Sequence, residues 1–324
     1  MRQEKSPGGI FCNAYDHPPH RIFDLLRWKL GKKTAPDRES VDLSESPSFD
    51  PSYNGSPVPS ISRSSATESV RLTWIGHSTF LIQHLGKNIL TDPIFGNCQP
   101  LPIRSLRRAV PPGISIEDLP RIHDVLISHS HYDHLDLPSV RALGKDVRYW
   151  TPEGLSQWFR RRGIRDCSEL SWWRSAQLSP EIAIHSVPAQ HGSGRTPFDR
   201  NRSHWCGWVV ESVKRTIYFA GDTGYSPSFT DIGERFGGFD LSILPIGAYK
   251  PRWLMKPVHL DPADAVQAHL DLKSRLSIAC HFGTFQLTDE PLAEPPALLA
   301  RQLGLRRIDP ASFRVLNAGQ TIDV

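Results

Sequence analysis

From residue 71 onward the chain alternates short apolar, β-branched runs with turn residues: RLTWI, TFLIQHL, NILTD, DVLISH, VRYW, IAIHSVP, GWVVES, TIYFAGD, DLSILPIG and SIACHF. Runs of four to eight such residues bounded by Gly, Pro, Asn or Asp predict strands. From the middle of the chain, stretches with helical spacing intervene. The clearest opens at Asp261, a side chain suited to capping a helix, with Pro262 at the first helical position and ADAVQAHLDL behind it. Further helices are expected near 138–144, 152–162, 228–236 and 295–303. About ten strands with interspersed helices, and no repeat at solenoid spacing, predict an α/β layered domain.

The first 70 residues have a different texture. Ile22, Leu25, Leu26 and Leu30 fall near helical spacing among Arg21, Arg27, Lys29, Lys32 and Lys33, so residues 1–33 form an N-terminal segment with an amphipathic helix. That helix suits either a membrane surface or docking on the main domain. Residues 34–69 are rich in Ser, Pro and Asp with few large apolar groups, and are expected to be a loose linker to a domain spanning 70–324.

Composition narrows the picture only slightly. A chain of 324 residues can bury a substantial core, and 38 basic against 34 acidic side chains give a mild +4, which does not argue for nucleic acid. The basic runs RSLRR (104–108) and RRRGIR (160–165) read as solvated faces. Five scattered cysteines without a C-x-x-C suit reduced thiols, and the absence of a secretory pattern or a long apolar run predicts a cytoplasmic protein, with a peripheral membrane contact left open.

The chemistry concentrates in LISHSHYDHLD. It contains H-x-H-x-D-H: His129, His131, Asp133 and His134. At ordinary residue frequencies that pattern arises by chance on the order of once in 10,000 such chains. Imidazole nitrogen and carboxylate oxygen are ligands for a borderline divalent ion such as zinc. Four ligands on one short loop cannot all reach one ion with good geometry, which points to two metals and to further ligands elsewhere. Candidates stand at other strand ends: His191 in VPAQHGSGR, Asp222 in YFAGDTGY and His281 in IACHFGTF.

The ordered set WIGHSTFLI, LTDPIFG, SHSHYDHLD, PAQHGSGR, YFAGDTGY, LPIGAYKPRWLMKPVH and HFGTFQLTDEP, over roughly residues 71–300, resembles the metallo-β-lactamase superfamily. Within it, IGAYKPRWLMKPVH and HFGTFQLTDEP are similar to the subgroup of N-acylphosphatidylethanolamine-hydrolysing phospholipases D and their bacterial relatives. The resemblance implies a four-layer αβ/βα sandwich with two zinc ions at one edge of its sheets. It assigns one ion to His129, His131 and His191, the other to Asp133, His134 and His281, and places Asp222 between them. Asp92 in LTDP becomes a carboxylate that orients a ligating imidazole. The relatives usually carry an aromatic residue after the ligand in the PAQH segment, where this chain has Gly192.

The expected reaction is hydrolysis of a glycerophospholipid phosphodiester by a metal-bridging hydroxide, releasing phosphatidic acid and an N-acylethanolamine. Two zinc ions against two aspartates and a hydroxide leave about +1, which favours an anionic substrate. Asp133 would orient the hydroxide, and Arg195 and His259 would contact substrate phosphate or the leaving oxygen. His77, Tyr132, Tyr225, Trp253 and Gln286 are expected to line the approach, while His84, His123, His185, His204 and His269 receive no role. The alternatives are a lactonase, thioesterase or cyclic-phosphate hydrolase using the same metals, or a non-catalytic scaffold, against which the complete ligand set argues. A phospholipid or other anionic small molecule is the expected partner, nucleic acid is not, and a homodimer is left open.

Overall fold

The structure, a computed structural model, describes residues 8–17, 24, 27, 28, 31, 69–98 and 106–324. Most of the expected 21–33 helix, and all but the last residue of the expected 34–69 linker, lie outside them. Asp24, Arg27 and Trp28 are helical.

Fourteen strands among the described residues form two seven-stranded sheets. The first contains β1 (Arg71–Gly76), β2 (Thr79–His84), β3 (Lys87–Thr91), β4 (Asp124–Leu126), β5 (Arg148–Thr151) and β6 (Cys167–Glu169), with β14 (Thr321–Asp323) beyond β1. The second contains β7 (Ser175–Ser179), β8 (Ile182–Val187), β9 (Gly207–Ser212), β10 (Thr216–Phe219), β11 (Leu241–Pro245), β12 (Ser277–Cys280) and β13 (Phe313–Arg314). Each sheet is antiparallel on one side and parallel on the other: β3 to β6 run parallel in the first, β10 to β13 in the second. Beyond residue 105 the α-helices are α1 (Leu137–Leu143), α2 (Ser156–Arg160), α3 (Ser228–Phe236), α4 (Arg252–Met255), α5 (Pro262–Asp271) and α6 (Glu294–Leu305).

The strands alternate as the pleat requires, but both faces are apolar because both are covered. Leu72, Trp74, Phe80, Ile82, Ile89, Leu126 and Trp150 join Ile184, Trp208, Val210, Ile217 and Phe219 in the core between the sheets. Their neighbours Ile75, Leu81, Leu90, Val125 and Tyr149 turn outward onto Val140 of α1 and Phe159 of α2. Each such buried side chain contributes about 1.5–3 kcal/mol. Asp261 caps α5 as expected, its side chain accepting from Asp264 N–H.

Two bonds tie the sheets together close to the metal-ligand run. Trp208 Nε1 donates to Ile127 C=O at 3.0 Å, and Cys206 N–H donates to Ser128 C=O at 3.0 Å.

Ten strands are expected from the sequence and fourteen are present; the extra four, β6, β7, β13 and β14, are the edge strands of the two sheets. Edge strands are half-solvated and short, so they carry no apolar run: β7 reads SAQLS and β6 reads CSE. The helix expected over 152–162 shortens to α2, and α4 is an addition.

Gly221 follows β10 with φ +60°, and a Cβ there would lie 2.5 Å from Ser128 Cβ. Gly221→Ala combines a left-handed backbone with overpacking and is expected to cost about 2–4 kcal/mol in denaturant unfolding.

Candidate metal centre

The loops that leave the C-terminal ends of β4, β8, β10 and β12 converge at one edge of the sandwich. After β4, the chain turns through His129–Leu135, with His134 N–H and Leu135 N–H both donating to His131 C=O. This tight turn aims its side chains inward, and Asp136 then caps α1 by accepting from Ser139 N–H. His191 follows β8, Asp222 follows β10 through Ala220 and Gly221, and His281, at φ +58°, comes directly after β12. All seven ligands expected from the sequence meet here.

Two sets of donor atoms result. His129, His131 and His191 form one, with His131 Nδ1 at 2.8 Å from His129 Nε2 and 3.2 Å from His191 Nε2. Asp133, His134 and His281 form the other, together with His77. Asp222 lies between them: Oδ1 is 3.1 Å from His281 Nε2, and Oδ2 is 3.2 Å from His134 Nε2, 3.8 Å from His191 Nε2 and 4.0 Å from His129 Nε2.

The separations of 3.1–3.2 Å, from His131 to His191 and from Asp222 to His134 and His281, fit a divalent metal ion, while His129 and His131 stand closer. Nitrogens bound tetrahedrally to zinc at ~2.0–2.1 Å lie about 3.3 Å apart. The separations of Asp133 Oδ2 from His134 Nε2 (3.3 Å) and His281 Nε2 (3.4 Å) match that figure as well. His134 Nε2, His281 Nε2 and Asp222 Oδ1 are buried without a hydrogen-bond partner, which is costly unless something cationic fills the space between them.

The far ring nitrogens fix the tautomers. His134 Nδ1 donates to Asp92 Oδ2 at 2.7 Å and His191 Nδ1 donates to Val258 C=O at 2.9 Å. Ser128 Oγ donates to Asp92 Oδ2 and therefore accepts from His129 Nδ1 at 2.9 Å. In its neutral form each of these imidazoles presents a lone pair on Nε2. Asp92, fully buried, thus braces one ligand from each set.

Electrostatics divide the imidazoles in two groups. Burial holds His129, His131 and His191 below the usual histidine range, so they are neutral and ready to ligate. Burial alone would push Asp133 and Asp222 up, but the adjacent His134 and His281 outweigh it and hold both well below the carboxylate range. Conversely, against burial, Asp222 and Asp133 raise His134 well above its ordinary value and His281 to about 9.

His259 borders the site. Its Nδ1 is 4.0 Å from Asp222 Oδ2, and its ring is 5.1 Å from that of His191. Burial pushes it down to about 4. A cavity of about 910 Å³ opens here, lined by His131, His191 and His259, by Leu254 and Met255 of α4, and by residues 10–13 and 15–17 of the N-terminal segment. Gly192 also lines it; a Cβ there would lie 3.1 Å from Asn201 Oδ1.

Several expected substrate contacts are placed differently. His77 is 1% exposed and lies behind the ligands, its Nε2 donating to Asp133 Oδ2 at 3.0 Å. Arg195 lines the cavity wall, yet its Nη1 donates to Ser130 C=O (2.8 Å) and Leu135 C=O (2.7 Å), bracing the ligand turn. Tyr132 stacks under that guanidinium at 3.9 Å and donates its hydroxyl to Arg195 C=O. Tyr225 bonds Asp271 and stacks on Phe229, and Gln286 donates to Thr288 C=O and Glu290 C=O within its own loop. Trp253 is exposed beneath the Arg27 guanidinium, whereas its neighbours Leu254 and Met255 line the cavity. Polar groups in buried loops are spent on local backbone and side-chain partners, and the spacing of residues does not reveal which.

The sequence reading missed residues 10–17, where Asn13 bonds His191. The segment precedes the expected linker and has no strand or helix pattern to mark it.

A family model described as the β-lactamase superfamily domain matches residues 87–282. The chain is 36% identical over 263 residues to N-acyl-phosphatidylethanolamine-hydrolyzing phospholipase D 1 of Caenorhabditis elegans, covering 76% of this chain and 74% of that protein. It is 37% identical over 231 residues to the mitochondrial N-acyl-phosphatidylethanolamine-hydrolyzing phospholipase D of Saccharomyces cerevisiae, covering 69% of this chain and 49% of that protein. Among solved structures, the metallo hydrolase Igni18 of Ignicoccus hospitalis shares the fold, with a TM-score of 0.60 at 24% identity over 79% of this chain and 98% of Igni18.

Two expectations follow from the geometry. Asp92→Ala removes the acceptor for His134 and should weaken metal binding about 10- to 100-fold by competition with a chelator. Because adjacent carboxylates raise His134 and His281, metal loading at neutral pH should release protons, and apparent affinity should rise with pH through about 9, where His281 is half deprotonated. Calorimetry in buffers of different ionisation enthalpy reads both.

Proposed function

The chain belongs to the metallo-β-lactamase superfamily, and from that membership we propose that it is a zinc-dependent phosphodiesterase that hydrolyses a glycerophospholipid, with N-acylphosphatidylethanolamine as the substrate class. The observation that carries this reading is the pairing of two buried donor sets through Asp222 with a large, partly apolar cavity at their open side. Identity of 36–37% to two phospholipases D named for that lipid supports the head group.

In this reading His129, His131 and His191 would hold one ion and Asp133, His134 and His281 the other, with Asp222 lying between the two sets. Zinc, when bound, would supply Lewis acidity toward phosphoryl oxygens and a water of lowered pKa as nucleophile. The protein does the rest. Asp133 and Asp222, both anionic, would accept hydrogen bonds from the attacking water and orient it. Ile10, Phe11, Leu254 and Met255 give the cavity an apolar wall suited to acyl chains.

His259 stands where the leaving alcohol would depart. With its pKa pushed down to about 4 it is neutral, so it acts by donating a ring N–H hydrogen bond to the leaving oxygen. Its other neighbours, the rings of His191 and His281, hold it in place.

Access from a bilayer suits the surroundings. Ile10 at the cavity is 40% exposed, and Phe198, flanked in the chain by lining residues Pro197 and Arg200, is 85% exposed. No helix among the described residues is long and apolar enough to cross a membrane.

Incubation of zinc-loaded protein with N-acylphosphatidylethanolamine should yield phosphatidic acid and N-acylethanolamine by lipid mass spectrometry, and chelation should abolish the products. Intact lipid with a fully loaded site would refute the substrate and turn attention to lactone, thioester and cyclic-phosphate substrates. His259→Ala should lower kcat about 100-fold with metal content unchanged.

A further inference from the structure

The geometry points to Asn13 as a positioning residue of the metal centre: its carboxamide clamps the backbone of the ligand His191, making the N-terminal segment an integral part of the three-histidine set. This rests on the reading of His129, His131 and His191 as metal ligands.

His191 sits in irregular chain between the end of β8 at Val187 and the glycines at 192 and 194. No strand pairing orients it. Instead one side chain satisfies both of its backbone polar groups: His191 N–H donates to Asn13 Oδ1 at 3.0 Å, and Asn13 Nδ2 donates to His191 C=O at 2.9 Å. The carboxamide thus does what a neighbouring strand would do, across 178 positions of sequence. Its orientation is locked from a third direction, since Trp205 Nε1 donates to Asn13 Oδ1 at 2.9 Å and a flipped amide would face it with a second donor.

The clamp can hold only if the segment is itself anchored, and it is. Phe11 is 3% exposed, its ring 4.5 Å from that of His204, and its N–H donates to Asn201 C=O at 2.9 Å. Tyr15 donates its hydroxyl to Asp231 Oδ2 at 2.5 Å, which ties the other side of Asn13 to α3. The ring of His191 is fixed separately by Val258 C=O. Asn13 therefore controls where the ligand's backbone stands, and Val258 how its ring is turned. Metal sites lose affinity steeply when the groups that orient a ligand are removed.

The test uses the full chain, stripped of metal and titrated with Co²⁺ while the visible d–d absorption is followed. Wild type should take two equivalents. Asn13→Ala should weaken one of them tenfold or more and shift its band, leaving the other unchanged. His191→Ala should strike the same equivalent. Trp205→Phe, which removes only the third bond to Asn13 Oδ1, should produce a smaller loss at that equivalent, and the double variant should be no worse than Asn13→Ala alone. Should Asn13→Ala fail to fold, Asn13→Asp, which loses the donor to His191 C=O, carries the comparison with His191→Ala. Two wild-type equivalents retained with unaltered affinity and spectrum in Asn13→Ala, or in its place an unaltered titration of Asn13→Asp, would overturn the inference while leaving the metal centre intact. A wild type that binds no Co²⁺ or Zn²⁺ would instead overturn the metal centre itself.

Discussion

Asp222 stands within 4.0 Å of five imidazoles while 3% exposed, and Asp133 shares two of them at 3.3–3.4 Å. So many buried ligand atoms cannot satisfy one another, because donors are scarce among them: the Nδ1 hydrogens of His129, His134 and His191 already point away, to Ser128, Asp92 and Val258. Desolvating two carboxylates costs several kcal/mol each unless positive charge is brought to them. Without a metal, protons on His134 and His281 supply part of it. Divalent cations supply more and satisfy the lone pairs at the same time, so the constraint that shapes the site is the need of these carboxylates for nearby cations.

The fold meets that need with rigid strand ends. Asp222 and His281 follow strand ends closely, so their Cα atoms are placed by sheets that cannot shift without disturbing the core, whereas His191 stands four residues beyond β8 with its backbone bonded to Asn13. Close approach of backbone supports the arrangement. Gly221 brings the Asp222 loop against Ser128, and Gly247 abuts His281 C=O, where a Cβ would lie at 2.1 Å. Trp208 and Cys206 pin the first sheet's loop to the second sheet at Ile127 and Ser128. Hydrophobic packing thereby becomes positional accuracy at the edge.

Around this centre the polar side chains separate by what they touch. Arg195 and Tyr132 hold the His129–Leu135 turn, Asp92 serves a ligand of each set, and His77 supports Asp133. His259 alone among the expected catalytic and substrate-contacting residues lines the cavity beside Asp222 with an unpartnered buried nitrogen, Nδ1. The cavity wall is completed by the N-terminal segment and α4, neither of which belongs to the two sheets.

The seven side chains that converge at the candidate metal centre, the ten central strands and the helix capped by Asp261 were legible in the residues themselves. H-x-H-x-D-H has chemistry in its composition, and interior strands declare themselves by apolar residues on both faces. The edge strands, the bracing roles of Arg195 and Gln286, and the attachment of Asn13 to His191 were not. Solvated edges leave no hydrophobic pattern, and a hydrogen bond between residues 13 and 191 depends on where two distant loops come to rest. Sequence determined which side chains can bind metal, because donor atoms are a local property. The tertiary structure alone decided which of them face one another and which polar neighbours serve the backbone, because those outcomes follow from how the two sheets pack.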